Sequence, residues 1–200
     1  TGLFRDEFLR ALRRLRFTGR MRALPEGGPF FAGEPLLEVT GPLAEAQLLE
    51  TWALNALQLP TLAATKAARC LVAAQGRAVV DFAMRRAHGL DAAHQVARSA
   101  WLAGLAGTSN VEAGRRFGIP VVGTMAHSYI MAFASELDAF RAYAASNPER
   151  CVLLVDTYDT LEGVRRAVQV GRELRASGRE LRGVRIDSGD LAQLARAARQ

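Results

Sequence analysis

Five stretches of the chain share one pattern, an apolar run that passes directly into polar residues: AVVDFAMRR (78–86), LAGTSN (105–110), IPVVGTMAHS (119–128), CVLLVDTYD (151–159) and GVRIDSGDL (183–191). Continuous runs of β-formers mark strands buried on both faces, as in a parallel sheet. Helical periodicity between and after them predicts helices over 92–102, 111–117, 127–143, 160–177 and from 191 still running at 200. Strand and helix alternating in this way are the signature of parallel βα units.

The chain before residue 77 follows another pattern. Phe4, Phe8, Leu12 and Leu15 recur at helical spacing with arginines between them, which predicts an amphipathic surface helix over 3–15. Pro and Gly then punctuate 17–40, giving turns and brief strands such as 35–40. Gly41-Pro42 opens a long, Ala- and Leu-rich helix of buried type; Pro60 is expected to break it, and a second helix over 62–74 ends at Gly76. The pattern divides the chain into a mixed part, 1–76, and a βα part, 77–200.

Parallel βα proteins bind ligands beyond the carboxyl ends of their strands. Arg85, Arg86, Ser109, Thr124, His127, Asp156, Asp159, Arg185 and Asp187 all follow apolar runs and are expected to converge there. A closed barrel takes about eight βα units. With five strands in the pattern, the expectation is an incomplete, irregular barrel whose C-terminal part lies outside this chain.

Composition narrows the chemistry. The chain has 200 residues, half of them hydrophobic, enough for a sizeable core. Its net charge of +6 is almost wholly arginine, since Lys66 is the only lysine. Dispersed arginines without aromatic stacking or recognition-helix motifs favour a phosphate-rich small molecule over nucleic acid. No apolar stretch reaches the roughly 20 residues of a membrane span, and no secretory signal pattern is present. Cys70 and Cys151 read as buried thiols of a cytoplasmic protein. His88 and His94 have no partner at metal spacing and read as structural or exposed. No CxxC, HExxH, GxSxG, Walker or post-strand GxGxxG motif occurs, which removes the common zinc, hydrolase and dinucleotide classes.

Three loops carry candidate chemistry. In 123–128, GTMAHS, glycine admits a ligand to the backbone, Thr124 and Ser128 offer hydroxyls, and helix amides attract an anion. His127 there is a candidate acid, base or nucleophile, or the member of a helix-capping loop. Arg185 and Asp187, two apart on a strand, share one side. They could grip a phosphate and balance positive charge, hold magnesium through water, or simply close the strand end as an ion pair. One of Arg85 and Arg86 suits an anion, as does the turn at 107–110. Asp159 and Asp190 read as helix caps.

Taken together, FTG (17–19), EPLLEVTGPLAEAQLLET (34–51), TLAATKAAR (61–69), DFAMRRAHG (81–89), GTSNVEAG (107–114), GTMAHS (123–128), LLVDTYDT (153–160) and RIDSGDL (185–191) resemble the nicotinate phosphoribosyltransferase family. The resemblance implies an α/β fold of type II phosphoribosyltransferase kind, a sandwich-type N-terminal part followed by an irregular α/β barrel. It also implies a cytoplasmic homodimer with its active sites at the dimer interface. The implied reaction joins nicotinate to phosphoribosyl pyrophosphate in NAD salvage, with Mg²⁺ present and ATP hydrolysis coupled through a phosphohistidine. On this resemblance His127 matches the phosphohistidine and Thr124 a residue near nicotinate. Arg85 matches a substrate-contacting arginine, and Arg185 with catalytic Asp187 the pair near ribose and phosphates, while Ser128 adds a substrate-facing hydroxyl. Ser109 stands where the related nicotinamide enzyme has an aspartate, and a neutral serine suits a carboxylate-bearing ring better. The family's opening segment and later strands have no counterpart in the chain, so an internal fragment is expected. Nicotinamide as substrate, or a non-catalytic remnant that binds phosphate ligands, are the alternatives.

Overall fold

The computed structural model describes residues 2–200, which form two compact units meeting in sequence between Val122 and Gly123. The first unit opens with α1 (Asp6–Arg14), whose acidic first turn and basic last turn complement the helix dipole. None of its residues is buried; Phe4 and Phe8 instead pack on each other, with ring centroids 5.4 Å apart. β1 (Arg20–Ala23) pairs antiparallel with β2 (Leu37–Thr40), Arg20 opposite Thr40. Glu45 fastens this ribbon to the helix that follows, accepting from the Thr18 amide at 2.7 Å and the Thr18 hydroxyl at 3.0 Å.

That helix, α2 (Leu43–Ala74), is continuous through Pro60, contrary to the expected break. An internal proline costs about 3 kcal/mol in a helix, and α2 absorbs it by packing on the next helix, α3 (Leu90–Leu102), with Ala53 and Ala67 buried on either side of Pro60. The expectation of a buried helix also fails: α2 meets α3 along one side, and Trp52, 65% exposed, Leu48 and Leu62 lie outside that contact. Cys70, expected to be buried, lies exposed on this helix, whereas Cys151 is buried; both are free thiols. Left-handed Gln75 and Gly76 end α2 as Gly76 foretold.

The strands are shorter than their apolar runs. β3 (Val80–Asp81) and β4 (Gly107–Thr108) pair in parallel, and Thr108 makes one further parallel bridge to Val121. The stretch at 119–122 is therefore a single bridge and not a buried strand; Val121 is 46% exposed, because only Thr108 lines it with backbone partners. Arg85 and Arg86 sit on a 3-10 turn, Met84–Arg86, not on a strand end. α4 (Val111–Phe117) follows β4, with Asn110 as its cap.

The second unit holds the larger core. β5 (Val152–Leu154) and β6 (Gly183–Arg185) pair in parallel, Leu154 opposite Arg185. Leu153, Leu154, Val155, Phe140, Ile130 and Val170 are wholly or almost wholly buried around them. The single helix expected over 127–143 is two, α5 (His127–Met131) and α6 (Glu136–Ser146), because Ser135 accepts from the Asp138 amide and starts a new helix. Asp159 caps α7 (Thr160–Ala176) and Asp190 caps α8 (Leu191–Ala197), as expected of both. α8 ends before Gln200, at Ala197, with Ala198 as its C-cap. Contacts group the chain differently from its sequence pattern, since α2 and α3 tie both sides of Gly76 into one unit. Among the described residues no helix is long and apolar enough to cross a membrane.

α7 lies directly on the end of β5. A Cβ on Gly163 would stand 2.1 Å from the Val155 carbonyl oxygen, a backbone atom that cannot swing aside. Gly163→Ala, which raises intrinsic helix propensity, is expected nonetheless to destabilise the protein by roughly 1–3 kcal/mol through overpacking. Urea unfolding of the variant checks this; a stability equal to or above wild type would contradict the close approach.

Candidate active site

The parallel register of β5 and β6 decides what stands at their carboxyl ends. Pairing continues one step past β5, where the Val155 amide donates to the Arg185 carbonyl at 3.1 Å. The next residues then face each other across the strand ends. Asp156 is buried, and its Oδ2 accepts from the Asp187 amide at 2.8 Å and the Ser188 hydroxyl at 2.6 Å. Its Oδ1 is buried without a hydrogen-bond partner.

Arg185 and Asp187 share one side of the chain, as their two-residue spacing requires, and pair at 2.8 Å. Arg185 also donates to the Thr124 hydroxyl at 2.6 Å, fixing the loop before α5. Asp187 in turn faces His127, its Oδ2 lying 3.6 Å from Nε2. The other ring nitrogen, Nδ1, is 3.1 Å from the Thr157 hydroxyl at the end of β5. Thr124, His127, Asp156, Thr157, Arg185, Asp187 and Ser188 thus form one connected group, with the side chains of His127, Arg185 and Asp187 all partly exposed.

The hydrogen bond from Arg185 holds the Asp187 carboxyl below the usual carboxylate range; burial opposes this, and the charges of Arg185 and His127 add to the lowering. The group can therefore present a fixed carboxylate, a guanidinium and an imidazole to a ligand approaching from solvent.

Other expected residues stand elsewhere. Asp159 serves as the α7 cap. Ser128 is exposed on α5, which is a single five-residue turn, too short for the aligned dipole that the sequence suggested would draw an anion. Arg85, Arg86 and Ser109 belong to the first unit, the arginines exposed and Ser109 partly buried. There Asp81 organises the turns that carry them. Its Oδ1 accepts from the Ala83 amide at 2.9 Å, its Oδ2 from the Thr108 hydroxyl at 2.7 Å, and its carbonyl from the Ser109 amide at 2.8 Å. Exposed His88 and buried His94 match expectation; His94 Nδ1 is 3.1 Å from Asn110 Nδ2. Thr157 and Ser188 were not singled out as site residues from the sequence, although both sit in motifs where a hydroxyl residue follows a strand-end aspartate.

The fold and this group define a βα protein with its polar site at the carboxyl ends of parallel strands. Residues 77–200 match the model of the nicotinate phosphoribosyltransferase (NAPRTase) family, and residues 1–58 match that of the nicotinate phosphoribosyltransferase N-terminal domain. The chain belongs to the nicotinate phosphoribosyltransferase family. It is 52% identical over 198 residues to a nicotinate phosphoribosyltransferase of Mycobacterium tuberculosis, covering 99% of this chain and 42% of the relative. It is 46% identical over 179 residues to that of Bacillus subtilis, covering 89% of this chain and 36% of the relative. The crystal structure of human nicotinic acid phosphoribosyltransferase superposes with a TM-score of 0.86 at 33% identity, covering 98% of this chain and 49% of that one. The chain therefore spans less than half the length of these relatives.

The lowered pKa of Asp187 fixes the sign of a pH effect. Its ionised form favours the folded state above the ordinary carboxylate pKa of about 3.9, and this contribution is lost as pH falls through the lower folded value. Arg185→Ala is expected to reduce stability near neutrality by less than about 1 kcal/mol, because the pair is partly exposed. The difference from wild type should shrink on acidification below about pH 4. Thermal melts of both proteins across that range check it, and a difference that grows in acid would contradict the pairing.

Proposed function

We propose that the protein acts as a nicotinate phosphoribosyltransferase, joining nicotinate to phosphoribosyl pyrophosphate to give nicotinate mononucleotide and pyrophosphate, with ATP hydrolysis coupled through phosphorylation of His127. Family membership supports the substrates. The observation that carries the mechanism is the placement of His127 beside the Arg185–Asp187 pair. Displacement at the anomeric carbon builds positive charge on the ribose and negative charge on the departing pyrophosphate. Asp187, held ionised by Arg185, is the group suited to the first charge, and the Arg185 guanidinium to the second.

His127 is the nucleophile toward the γ-phosphate of ATP, the bond to the β-phosphate breaking and ADP leaving, and its phosphorylated form alters the charge of the phosphate site before the sugar reacts. Thr124 and Ser128 supply hydroxyls to substrate. In the first unit, Arg85 provides a cation for an anionic substrate and Ser109 a neutral contact for the pyridine ring. Magnesium would enter with the phosphates: among the described residues no three His, Cys, Asp or Glu side chains stand together as a cage. Asp156, with its unpartnered Oδ1, and Asp187 fit a role toward the ion's water shell. A cytoplasmic homodimer is the expected working form.

Two experiments test this reading. With radiolabelled ATP and Mg²⁺ the protein should take up acid-labile phosphate, and His127→Ala should take up none; undiminished incorporation in the variant would sink the assignment. Chromatography of mixtures with both pyridines should show nicotinate preferred. Ser109→Asp should shift the preference toward nicotinamide by about 10-fold or more, the scale of a ring-contact polar group. An unchanged ratio would remove Ser109 from the ring site.

A further inference from the structure

The two nitrogens of the His127 ring face chemically different partners. Nε2 looks at Asp187 Oδ2 across 3.6 Å, and Nδ1 at the Thr157 hydroxyl across 3.1 Å. An ionised carboxylate only accepts, whereas a hydroxyl both donates and accepts. At 3.6 Å the carboxylate makes no strong hydrogen bond, yet its field favours a proton on the nearer nitrogen. In a neutral ring that proton leaves Nδ1 as a bare lone pair, and the hydroxyl turns to donate to it.

We propose that Thr157 is a positioning residue for His127: its hydroxyl donates to Nδ1 and, with Asp187 opposite, holds the ring in one orientation and in the tautomer protonated on Nε2. Its bearing on catalysis rests on the reading of His127 as phosphoryl acceptor: in this tautomer Nδ1 carries the ring's one lone pair, so Nδ1 would form the bond to phosphorus as the bond to the leaving ADP breaks, and the Thr157 hydroxyl fixes that lone pair's direction until the phosphate displaces it. Thr157 suits the task because it directly follows buried Val155 and Asp156, on the end of a strand whose core neighbours are wholly buried. The ring is thus referenced to the core and not to the mobile end of another side chain.

The molecule carries its own standards for the test. It has 3 histidines, His88, His94 and His127. The Asn110 carboxamide is oriented by the Ala113 amide, which donates to its Oδ1, so its Nδ2 must donate to His94 Nδ1. His94 therefore reports a neutral imidazole with a hydrogen-bonded Nδ1, and exposed His88 reports one in water.

The experiment is a long-range proton–nitrogen correlation spectrum of the whole chain, labelled with ¹⁵N-histidine, at about pH 9, where free imidazole is neutral. His127 is assigned by its loss in His127→Gln. The wild-type protein should show His127 protonated on Nε2, with its Nδ1 line near that of His94. In Thr157→Val the Nδ1 line should move toward that of a nitrogen accepting no donor, and in Thr157→Ser it should return. A wild-type proton on Nδ1 would overturn the proposal without recourse to any variant. So would an Nδ1 line unmoved by valine. If wild-type His127 takes up no phosphate while the spectra behave as described, the functional reading fails and the positioning of the ring by Thr157 stands.

Discussion

With Leu154 opposite Arg185, the parallel register of β5 and β6 carries Asp156 and Thr157 to one strand end and Asp187 and Ser188 to the other, side by side. A slip of one residue would send every side chain to the opposite face, parting Asp156 from the Asp187 amide and Thr157 from His127. The buried side chains of Leu153, Leu154 and Val155 oppose that slip, since it would turn Leu154 and its neighbours out of the core. Hydrophobic burial in the second unit thus sets the hydrogen-bonding geometry of the polar group at its edge.

The same device occurs twice. Asp156, just past β5, accepts the hydroxyl of Ser188 beyond the paired strand, and Asp81, at the end of β3, accepts the hydroxyl of Thr108 on β4. In each case a buried carboxylate spans two parallel strands at their carboxyl ends and also takes a backbone amide, from Asp187 in one unit and Ala83 in the other. Burying a carboxylate is tolerable only when such donors replace water. Each clasp orders the turn that carries candidate ligand groups: Arg185 and Asp187 in one unit, Arg85 and Ser109 in the other.

Much of this was legible in the sequence because strand ends announce themselves. Apolar runs passing into polar residues located four strands, the fifth run at 119–122 making only a single bridge to Thr108, and the spacing of Arg185 and Asp187 foretold their pairing. Asp159 and Asp190 were legible as caps by the same local logic. The break between α5 and α6 was signalled by Ser135 and Asp138 but masked by the apolar periodicity on either side. Pro60 misled in the other direction, since propensity counts the lost hydrogen bond and not the flank of α3. Cys70 and the exposed face of α2 could not be foreseen, because composition reports what a helix is able to bury and not which neighbour covers it. Thr157 was hidden for another reason: its importance lies in facing His127, 30 residues away in sequence, and no local pattern encodes that.

The contact of α7 with the strand end has a mechanical meaning. With no side chain at Gly163, helix backbone rests against the Val155 carbonyl without a compressible layer between them. Val155 is followed at once by Asp156 and Thr157. The seat of α7 is therefore coupled stiffly to the carboxylate that holds Asp187 and to the hydroxyl beside His127. Changes over most of the exposed face of α7 can be absorbed by solvent, whereas a displacement of the helix at this one point is passed to the imidazole almost undamped.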